Sequence, residues 1–228
     1  MYFIGIDLGT SAVKLLMMDS TGNILQTISE TYPINYPRPG WSEQNPRDWW
    51  EAVVRGLSRL TAGTDAGQIA GVSFGGQMHG LVILDANDQV IRPAILWNDG
   101  RTEEETKYLN EVIGREKLLA WTGNVAFAGF TAPKLLWLKK HEPENFAKIH
   151  KIMLPKDYIA YKLTGVFSTD VSDASGTLLF DVRERAWSED MMDICDVYIE
   201  QLPQIYESYE MTGYVTPQVA GGTGLSTK

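Results

Sequence analysis

Apolar positions in residues 1–34 fall into three short runs that are separated by small and polar residues. The runs are YFIGI, AVKLLMMD and ILQTISETYPI, and the third alternates in part between apolar and polar positions. Between the second and third runs lies STGN, which has the glycine and asparagine that tight turns favour. The pattern predicts three β-strands joined by short turns, which is a β-meander at the start of the chain.

A helix is predicted after YPRPGWSEQNP, a stretch too rich in proline and glycine for a regular element. Asn45 can cap this helix, Pro46 suits its first position, and Asp48 favours its first turn. Apolar residues then recur at helical spacing, at Trp50, Val53, Val54, Leu57 and Leu60.

The rest of the chain changes from predicted strands to predicted helices. IAGVSFGG is a predicted strand that ends at Gly75 and Gly76, and LVILD and QVIRPAILW are two more strands joined by a polar turn. The predicted helices are RTEEETKYLNEVIG, TAPKLLWLKKH, PENFAKIHKI, PKDYIAYKLTG and SEDMMDICDV, with FSTDVSDASGTLLFD as a polar loop leading into a short strand. This order of elements predicts an α/β or α+β protein.

Composition and charge narrow the classes of partner. The chain has 228 residues, of which 44% are hydrophobic and 21% charged, the balance of a globular protein. Its formal net charge of −9 argues against binding to nucleic acid or to an anionic membrane surface. The single cysteine, Cys195, excludes an internal disulfide, and no Cys/His cluster has zinc-ligand spacing. We find neither a signal peptide nor an apolar run of about 18 residues, so we expect a cytoplasmic location.

The turn between the first two predicted strands has residues suited to phosphate. In GIDLGTSAVK, the amides of Gly9, Thr10 and Ser11 can form an anion-binding concavity. Lys14 adds a positive charge. Asp7 would repel phosphate, but its carboxylate can hold Mg²⁺ between the protein and the phosphates. The same residue types are ordinary in hairpin turns, so this stretch alone leaves both interpretations open.

Two further polar stretches, GQMHG and LWNDGR, also follow predicted strands, where sites in α/β proteins gather. Their polar side chains offer the donors and acceptors that a polyhydroxylated ligand needs: His79, Asn98, Asp99 and Arg101. The alternatives are a hydrogen-bonded structural role for His79 and a helix-entry turn capped by Asp99. We expect most tryptophans in the core and Trp97 near a sugar.

Seven motifs in order resemble the N-terminal half of FGGY carbohydrate kinases, and the similarity runs from Met1 to about residue 228. They are IGIDLGTSAVK, WSEQNPRDWW, GQMHG, RPAILWNDGR, GFTAPKLLWLKKHEPE, LPKDYIAYKLTG and STDVSDASGT. The resemblance implies a ribonuclease H-like domain of the actin/hexokinase type, with a mixed five-stranded sheet that opens with the meander. It also implies ATP and Mg²⁺ as cofactors, with the DLGTS turn facing the ATP phosphates and Asp7 needed for activity.

The resemblance further implies phosphorylation of a ketopentose, D-xylulose, to its 5-phosphate. The residues expected at the sugar are Gln77, Met78, His79, Trp97, Asn98, Asp99 and Arg101, and those expected at the nucleotide phosphates are Gly9, Thr10, Ser11 and Lys14, with Asp7 as the metal ligand. One alternative is another FGGY kinase, for gluconate, ribulose, fuculose or glycerol. The other is a non-catalytic actin-fold protein with a sugar-binding or regulatory role.

FGGY kinases are about twice this length, and their general base is an aspartate in a glycine-rich segment. The GGTG of this chain contains no aspartate. We therefore expect residues 1–228 to form the N-terminal FGGY kinase domain without the C-terminal ATP-binding domain, and to phosphorylate nothing alone. We also expect an exposed apolar patch around residues 206–225 and, with it, self-association, for example as a homodimer.

Overall fold

The main sheet of the computed structural model, which describes residues 1–227, combines the three opening strands with one later strand. The first five strands are β1 Tyr2–Leu8, β2 Ala12–Asp19, β3 Ile24–Thr31, β4 Glu43–Gln44 and β5 Ile69–Gly76. The order in the sheet is β3-β2-β1-β5. The pairs β1–β2 and β2–β3 are antiparallel, whereas β5 is parallel to β1. The sheet is therefore mixed, as the sequence predicts.

Shorter strands and nine α-helices follow or separate these strands within residues 1–227. The shorter strands are β6 Val82–Leu84, β7 Ala94–Ile95, β8 Lys151–Met153, β9 Ser168–Asp170, β10 Phe180–Asp181, β11 Ala186–Trp187 and β12 Gln204–Tyr206. The α-helices are α1 Pro46–Leu60, α2 Glu103–Lys107, α3 Arg115–Thr122, α4 Thr131–His141, α5 Pro143–Phe146, α6 Pro155–Thr164, α7 Val171–Ala174, α8 Glu189–Cys195 and α9 Pro217–Thr223. Single 3₁₀ turns occupy Ala66–Gln68 and Ile199–Gln201, and Tyr108–Gly114 is π-helical.

The predicted fifth strand of the main sheet is not found among residues 1–227, where this sheet has four strands. The remaining strands pair elsewhere: β4 with β7, β6 with β8, β9 with β12, and β10 with β11. Consequently β5 is an edge strand in this part of the chain. The predicted number of strands is not confirmed within residues 1–227, because these short strands form ladders of their own.

The α1 prediction is confirmed in detail. The Asn45 side chain accepts a hydrogen bond from the Arg47 amide at 3.1 Å, Pro46 begins the helix, and Asp48 lies in the first turn. These three features satisfy the free amides of the helix N-terminus and favour its dipole. The prediction for residues 143–152 was wrong in part, since α5 ends at Phe146 and β8 follows.

One face of the main sheet packs against α1, and the other carries the polar residues of interest. Alternate β1 side chains, such as Ile4 and Ile6, are buried on the α1 face. Gly56 lets α1 approach β2 closely, because a Cβ there would lie 2.4 Å from Leu15 Cδ1. Asp7 projects from the opposite face and is exposed.

A second apolar core lies around α4. It contains side chains from α3, α4, α8 and the β6–β8 ladder, including Leu118, Leu135, Leu138, Met191, Ile83 and Ile152. This core supports the loop before α4 and the turn after β5. No helix within residues 1–227 combines the length and the apolar character that crossing a membrane requires.

The expected apolar exposure near residues 206–225 is found in part. Tyr209, Met211 and Tyr214 are 87%, 69% and 59% exposed, whereas Leu225 is buried at 3%. The helix α9, which the sequence pattern did not predict, packs on α1 through hydrogen bonds from Ser58 Oγ and Thr61 Oγ1. Self-association stays a prediction.

The Gln44 side chain joins four parts of the fold. Its Nε2 donates to Thr10 O at 2.7 Å and to Pro33 O at 3.2 Å. Its Oε1 accepts from Trp49 Nε1 at 3.1 Å and from Gln77 Nε2 at 2.9 Å. Gln44 is 0% exposed, so this amide uses both of its donors and both of its acceptor positions inside the protein.

Replacing Gln44 by leucine should lower the free energy of unfolding by about 2–4 kcal/mol, because two part-buried carbonyls and two buried N–H groups would lose their partner. Urea denaturation of the Gln44→Leu chain measures this loss. Gln26→Leu, at an exposed position of β3, is the matched control and should change stability by less than about 0.5 kcal/mol. An equally small loss for Gln44→Leu would contradict the assigned role.

Candidate functional site

The three polar stretches predicted to form a site lie together at one end of the main sheet, where β1 and β5 end. In the β1–β5 register Leu8 pairs with Gly76, and the Gln77 amide donates to Leu8 O at 2.7 Å. The β1–β2 turn and the turn after β5 therefore leave the sheet side by side. Trp97 Nε1 donates to Thr10 Oγ1 at 3.1 Å, which brings the third stretch to the same place.

The β1–β2 turn is a hairpin whose first amide is already used. The Gly9 amide donates to Asp7 O at 3.2 Å and to Ala12 O at 3.0 Å, and the Tyr32 hydroxyl donates to Gly9 O. In this conformation the Gly9 amide is hydrogen-bonded within the hairpin, and its predicted contact with phosphate stays a prediction. The amides of Thr10 and Ser11 donate to no acceptor within residues 1–227, so they stay the candidates for a phosphate oxygen.

Asp7 and Lys14 are directly opposite each other in the β1–β2 register and are both exposed. They therefore project from the same face of the sheet, next to the hairpin turn. Residues 1–227 contain no group of three or more His, Cys, Asp or Glu that could hold a metal ion. One exposed carboxylate nevertheless fits Mg²⁺, which keeps several waters and binds through one or two carboxylates together with substrate phosphates.

The turn after β5 presents one exposed and one fixed side chain. Met78 is 44% exposed. His79 has a φ of 63°, a left-handed conformation that is uncommon for a residue other than glycine. Its ring lies 4.8 Å from the ring of Phe130, and a Cβ on Gly176 would lie 2.2 Å from His79 Cε1. The His79 ring is therefore held between Phe130 and the Gly176 backbone.

The environment of His79 keeps its imidazole neutral. Burial, and secondarily the positive charge of Lys134, lower the pKa of His79 to about 4. A neutral imidazole has one N–H donor and one acceptor nitrogen. Nδ1 is buried beside Gly176, so Nε2 is the ring nitrogen left to meet a hydroxyl group.

Of the four residues in LWNDGR that are predicted to contact the sugar, two face solvent and two do not. Trp97 is 42% exposed, and Asn98 is exposed beside it. Asp99 is 2% exposed and Arg101 has a fully buried side chain. Direct contact of Asp99 and Arg101 with a sugar stays a prediction, and in this conformation both side chains are buried.

Asp99 and Arg101 instead form the internal support of the 97–101 turn. Arg101 Nε and Nη2 donate to the two carboxylate oxygens of Asp99 at 2.8 and 2.7 Å, a bidentate pair. The Ser42 amide donates to Asp99 Oδ2 at 2.6 Å. Arg101 also pairs with Glu43 at 2.7 Å. These contacts fix the turn that carries Trp97 and Asn98.

Two tryptophan rings, perpendicular to each other, contact the Arg101 guanidinium. Its carbon lies 3.8 Å from the ring centroid of Trp41 and 4.9 Å from that of Trp137. Aromatic contact suits arginine, which is weakly hydrated for a cation. The side chains of Arg101 and Asp99 are both fully buried, so their ion pair is kept from solvent.

Gln77 is also buried, at 5% exposure, and its side chain donates to Gln44. It supports the turn after β5 from beneath rather than facing the opening. Sequence reasoning missed Gln44 and Lys134, both of which contact backbone carbonyls of the site. The sequence feature that could have indicated Lys134 is its place as a single lysine in the otherwise mostly apolar TAPKLLWL. No comparable feature of the sequence marks Gln44.

A cavity of about 270 Å³ lies elsewhere, against the outer edge of β5. Its walls include residues 69–74, α6 and residues 207–208 and 210–215, and none of the predicted site residues line it. Lys156 and Asp170 lie at this cavity, where Lys156 Nζ is 2.9 Å from Asp170 Oδ1. The predicted site is thus distinct from this cavity beside β5.

Comparison with known proteins identifies the family. The FGGY family of carbohydrate kinases, N-terminal domain, matches residues 2–228. The xylulose kinase of Escherichia coli (strain K12) is 44% identical over 225 residues, which cover 99% of this chain and 46% of that protein. The chain therefore spans about half the length of the curated relatives it matches.

Solved structures show the same architecture. A xyloylose kinase from Brucella ovis superposes with a TM-score of 0.91 at 39% identity, covering 96% of this chain and 46% of that chain. A gluconate kinase from Lactobacillus acidophilus superposes with a TM-score of 0.94 at 29% identity, covering 99% of this chain and 46% of that chain. The fold is that of the N-terminal half of these sugar kinases, which is of the actin/ribonuclease H-like type.

The low pKa of His79 predicts a specific loss of stability in acid. Between pH 6.5 and about 4 the unfolded chain binds a proton at residue 79 that the folded chain does not, so stability falls as the pH falls through this window. His79→Asn, whose side chain tolerates the left-handed backbone, removes this dependence. Relative to the variant, the wild-type chain should lose roughly 2 kcal/mol between pH 7 and pH 4.

Urea denaturation across this pH range measures the effect. His150→Asn, at an exposed histidine, is the control and should follow the wild-type curve. A difference between wild type and His79→Asn that does not change with pH would contradict a buried, neutral His79.

Proposed function

Because the chain belongs to the FGGY family of carbohydrate kinases, we propose that it forms the N-terminal lobe of an ATP-dependent kinase that phosphorylates D-xylulose to D-xylulose 5-phosphate. The carrying observation is that the β1–β2 turn with Asp7 and the Met78–His79 turn lie side by side at one end of the main sheet. The xylulose kinase relative with 44% identity supports the choice of sugar. Since ATP is the phosphoryl donor, we propose that the kinase acts in the cytoplasm.

The sugar side of the site is assigned to the exposed surface around the turn after β5. Met78 offers apolar contact to sugar carbons, and neutral His79 offers a hydrogen bond to a hydroxyl. Trp97 and Asn98 border the same opening and are exposed. Asp99, Arg101 and Gln77 act beneath this surface, through the contacts that hold its turns.

The phosphate side is assigned to the β1–β2 hairpin. The Thr10 and Ser11 amides would bind phosphate oxygens, and Lys14 adds positive charge on the same face as Asp7. Asp7 would hold Mg²⁺, directly or through water. When bound, Mg²⁺ supplies charge neutralisation on the phosphoryl group being transferred.

In the reaction, a sugar hydroxyl oxygen attacks the γ-phosphorus of ATP, the bond to ADP breaks, and the hydroxyl proton passes to a general base. The relatives are about twice as long as this chain, so we assign that base and the adenine site to the part of the kinase outside residues 1–228. Turnover then requires both lobes, because positioning of the two reactants supplies a large part of the rate acceleration.

A second candidate function is phosphorylation of another sugar or of a sugar acid, since a gluconate kinase has the same fold at 29% identity. A panel of D-xylulose, D-ribulose, L-fuculose, D-gluconate and glycerol separates the candidates when ADP release is measured with the full-length kinase that contains this chain. We expect the highest kcat/KM for D-xylulose. A higher value for D-gluconate would replace the proposed substrate, and no sugar-dependent ADP release would leave a non-catalytic protein.

Asp7→Asn in the full-length kinase should lower kcat by at least about a hundredfold, because the carboxylate charge that holds Mg²⁺ is lost. Asp7 is exposed, so the fold should not change. Sugar binding, measured by calorimetry, should stay as in the wild type. Asp190→Asn, an exposed aspartate of α8, is the control. Near-normal turnover by the Asp7 variant would show that the hairpin has no part in phosphoryl transfer.

His79→Asn in the same kinase should lower kcat/KM for D-xylulose by roughly ten- to a hundredfold, since a hydroxyl of the bound sugar loses its partner. The KM for ATP should not change. His150→Asn serves as the control for loss of a histidine. If D-xylulose kinetics were the same for both variants, the assignment of the sugar to the turn after β5 would be wrong.

A further inference from the structure

Lys134 is a buried lysine whose ammonium contacts backbone carbonyl oxygens. Its side chain is 0% exposed, although it is the fourth residue of α4, where the helix dipole disfavours a positive charge. Lys134 Nζ donates to His79 O and to Phe130 O, each at 3.2 Å, and to Gly129 O. The carboxylate whose charge acts on it, that of Asp99, is bound to Arg101 instead.

The three carbonyls belong to two loops of the candidate site. His79 lies in the turn after β5, and Gly129 and Phe130 lie in the loop before α4. The hydroxyl of Thr131 donates to the same His79 oxygen at 3.1 Å. The His79 carbonyl therefore accepts two hydrogen bonds from α4, and Lys134 links it to the neighbouring loop.

The direction of the His79 ring depends on this carbonyl. With φ at 63°, His79 lies in a narrow region of backbone conformation, and small rotations there swing its side chain. The ring packs against Phe130, whose own carbonyl is bound by the same ammonium. One buried amine thus holds both the histidine and the aromatic ring that packs on it.

We propose that Lys134 is a positioning residue for sugar binding, whose ammonium ties the His79 turn to the loop before α4 and so holds the His79 imidazole at the sugar. This inference rests on the function proposed above, because it takes His79 as the sugar contact. Burying an amine is costly, and an apolar side chain such as methionine would fill the space at lower cost. What methionine cannot do is order three carbonyls.

The test is Lys134→Met in the full-length kinase. The KM for D-xylulose should rise about tenfold or more, as expected when a contact residue is misplaced, with a smaller change in kcat and none in the KM for ATP. Lys139→Met is the control, because Lys139 lies on the same helix but forms a surface ion pair with Asp196. A folded Lys134→Met kinase whose KM for D-xylulose stays within about twofold of wild type would overturn the proposal.

Coupling between the two residues gives a second readout. Because the Lys134 charge helps to lower the pKa of His79, NMR titration of the Lys134→Met protein should show a higher His79 pKa. In addition, Lys134→Met should add little to the KM of a His79→Asn kinase, since both changes remove the same contact. Fully additive effects would overturn the proposal.

If the Lys134→Met kinase fails to fold, the variant Thr131→Val tests the same contact with the His79 carbonyl. It removes one of the two hydrogen bonds to His79 O and should raise the KM for D-xylulose to a smaller degree, whereas an unchanged KM would overturn the proposal. The parallel His79→Asn measurement separates the two hypotheses. If His79→Asn raises the KM and Lys134→Met does not, only the role of Lys134 is wrong; if His79→Asn has no effect, the proposed sugar site itself fails.

Discussion

The geometry of the candidate site depends on the four hydrogen bonds of the buried Gln44 amide. They bind the β1–β2 turn, the chain after β3, the first turn of α1 and the turn after β5 to one side chain. Because every donor and acceptor position is used, a shift of any one partner leaves a buried polar group unpaired. The hairpin at the end of β1 and the turn at the end of β5 therefore keep a fixed relation, on which any transfer between their ligands would depend.

Two buried cations extend this arrangement, in different ways. Arg101 is neutralised by Asp99 and Glu43 and contacts two tryptophan rings, so its desolvation is offset by charge pairing. Lys134 forms no ion pair within residues 1–227, its ammonium donates to carbonyl oxygens, and burial lowers its pKa to about 7. The apolar cores around α1 and α4 supply most of the stability, by the area that they remove from water. The polar contacts instead decide where each loop of the site lies.

The sequence predicts the local parts of this structure well. The strands β1, β2, β3 and β5, the capped start of α1 and the polar stretches at the strand ends follow from apolar periodicity and turn residues. What it does not predict depends on long-range contacts. Asp99 and Arg101 look like ligand contacts in LWNDGR, but both side chains are buried, and Trp41 and Trp137, distant in sequence, pack on Arg101. The five-stranded sheet, which the family resemblance implies, is not confirmed within residues 1–227, where short strands pair with one another outside the main sheet.

A crystal structure of the full-length kinase with D-xylulose tests the central claim most directly. The account predicts the sugar at the opening formed by Met78, His79 and Trp97, with a hydroxyl oxygen within about 3.2 Å of a His79 ring nitrogen. It also predicts no contact with Asp99 or Arg101. Sugar bound away from this opening, for instance in the cavity beside β5, with His79 untouched, would contradict the account.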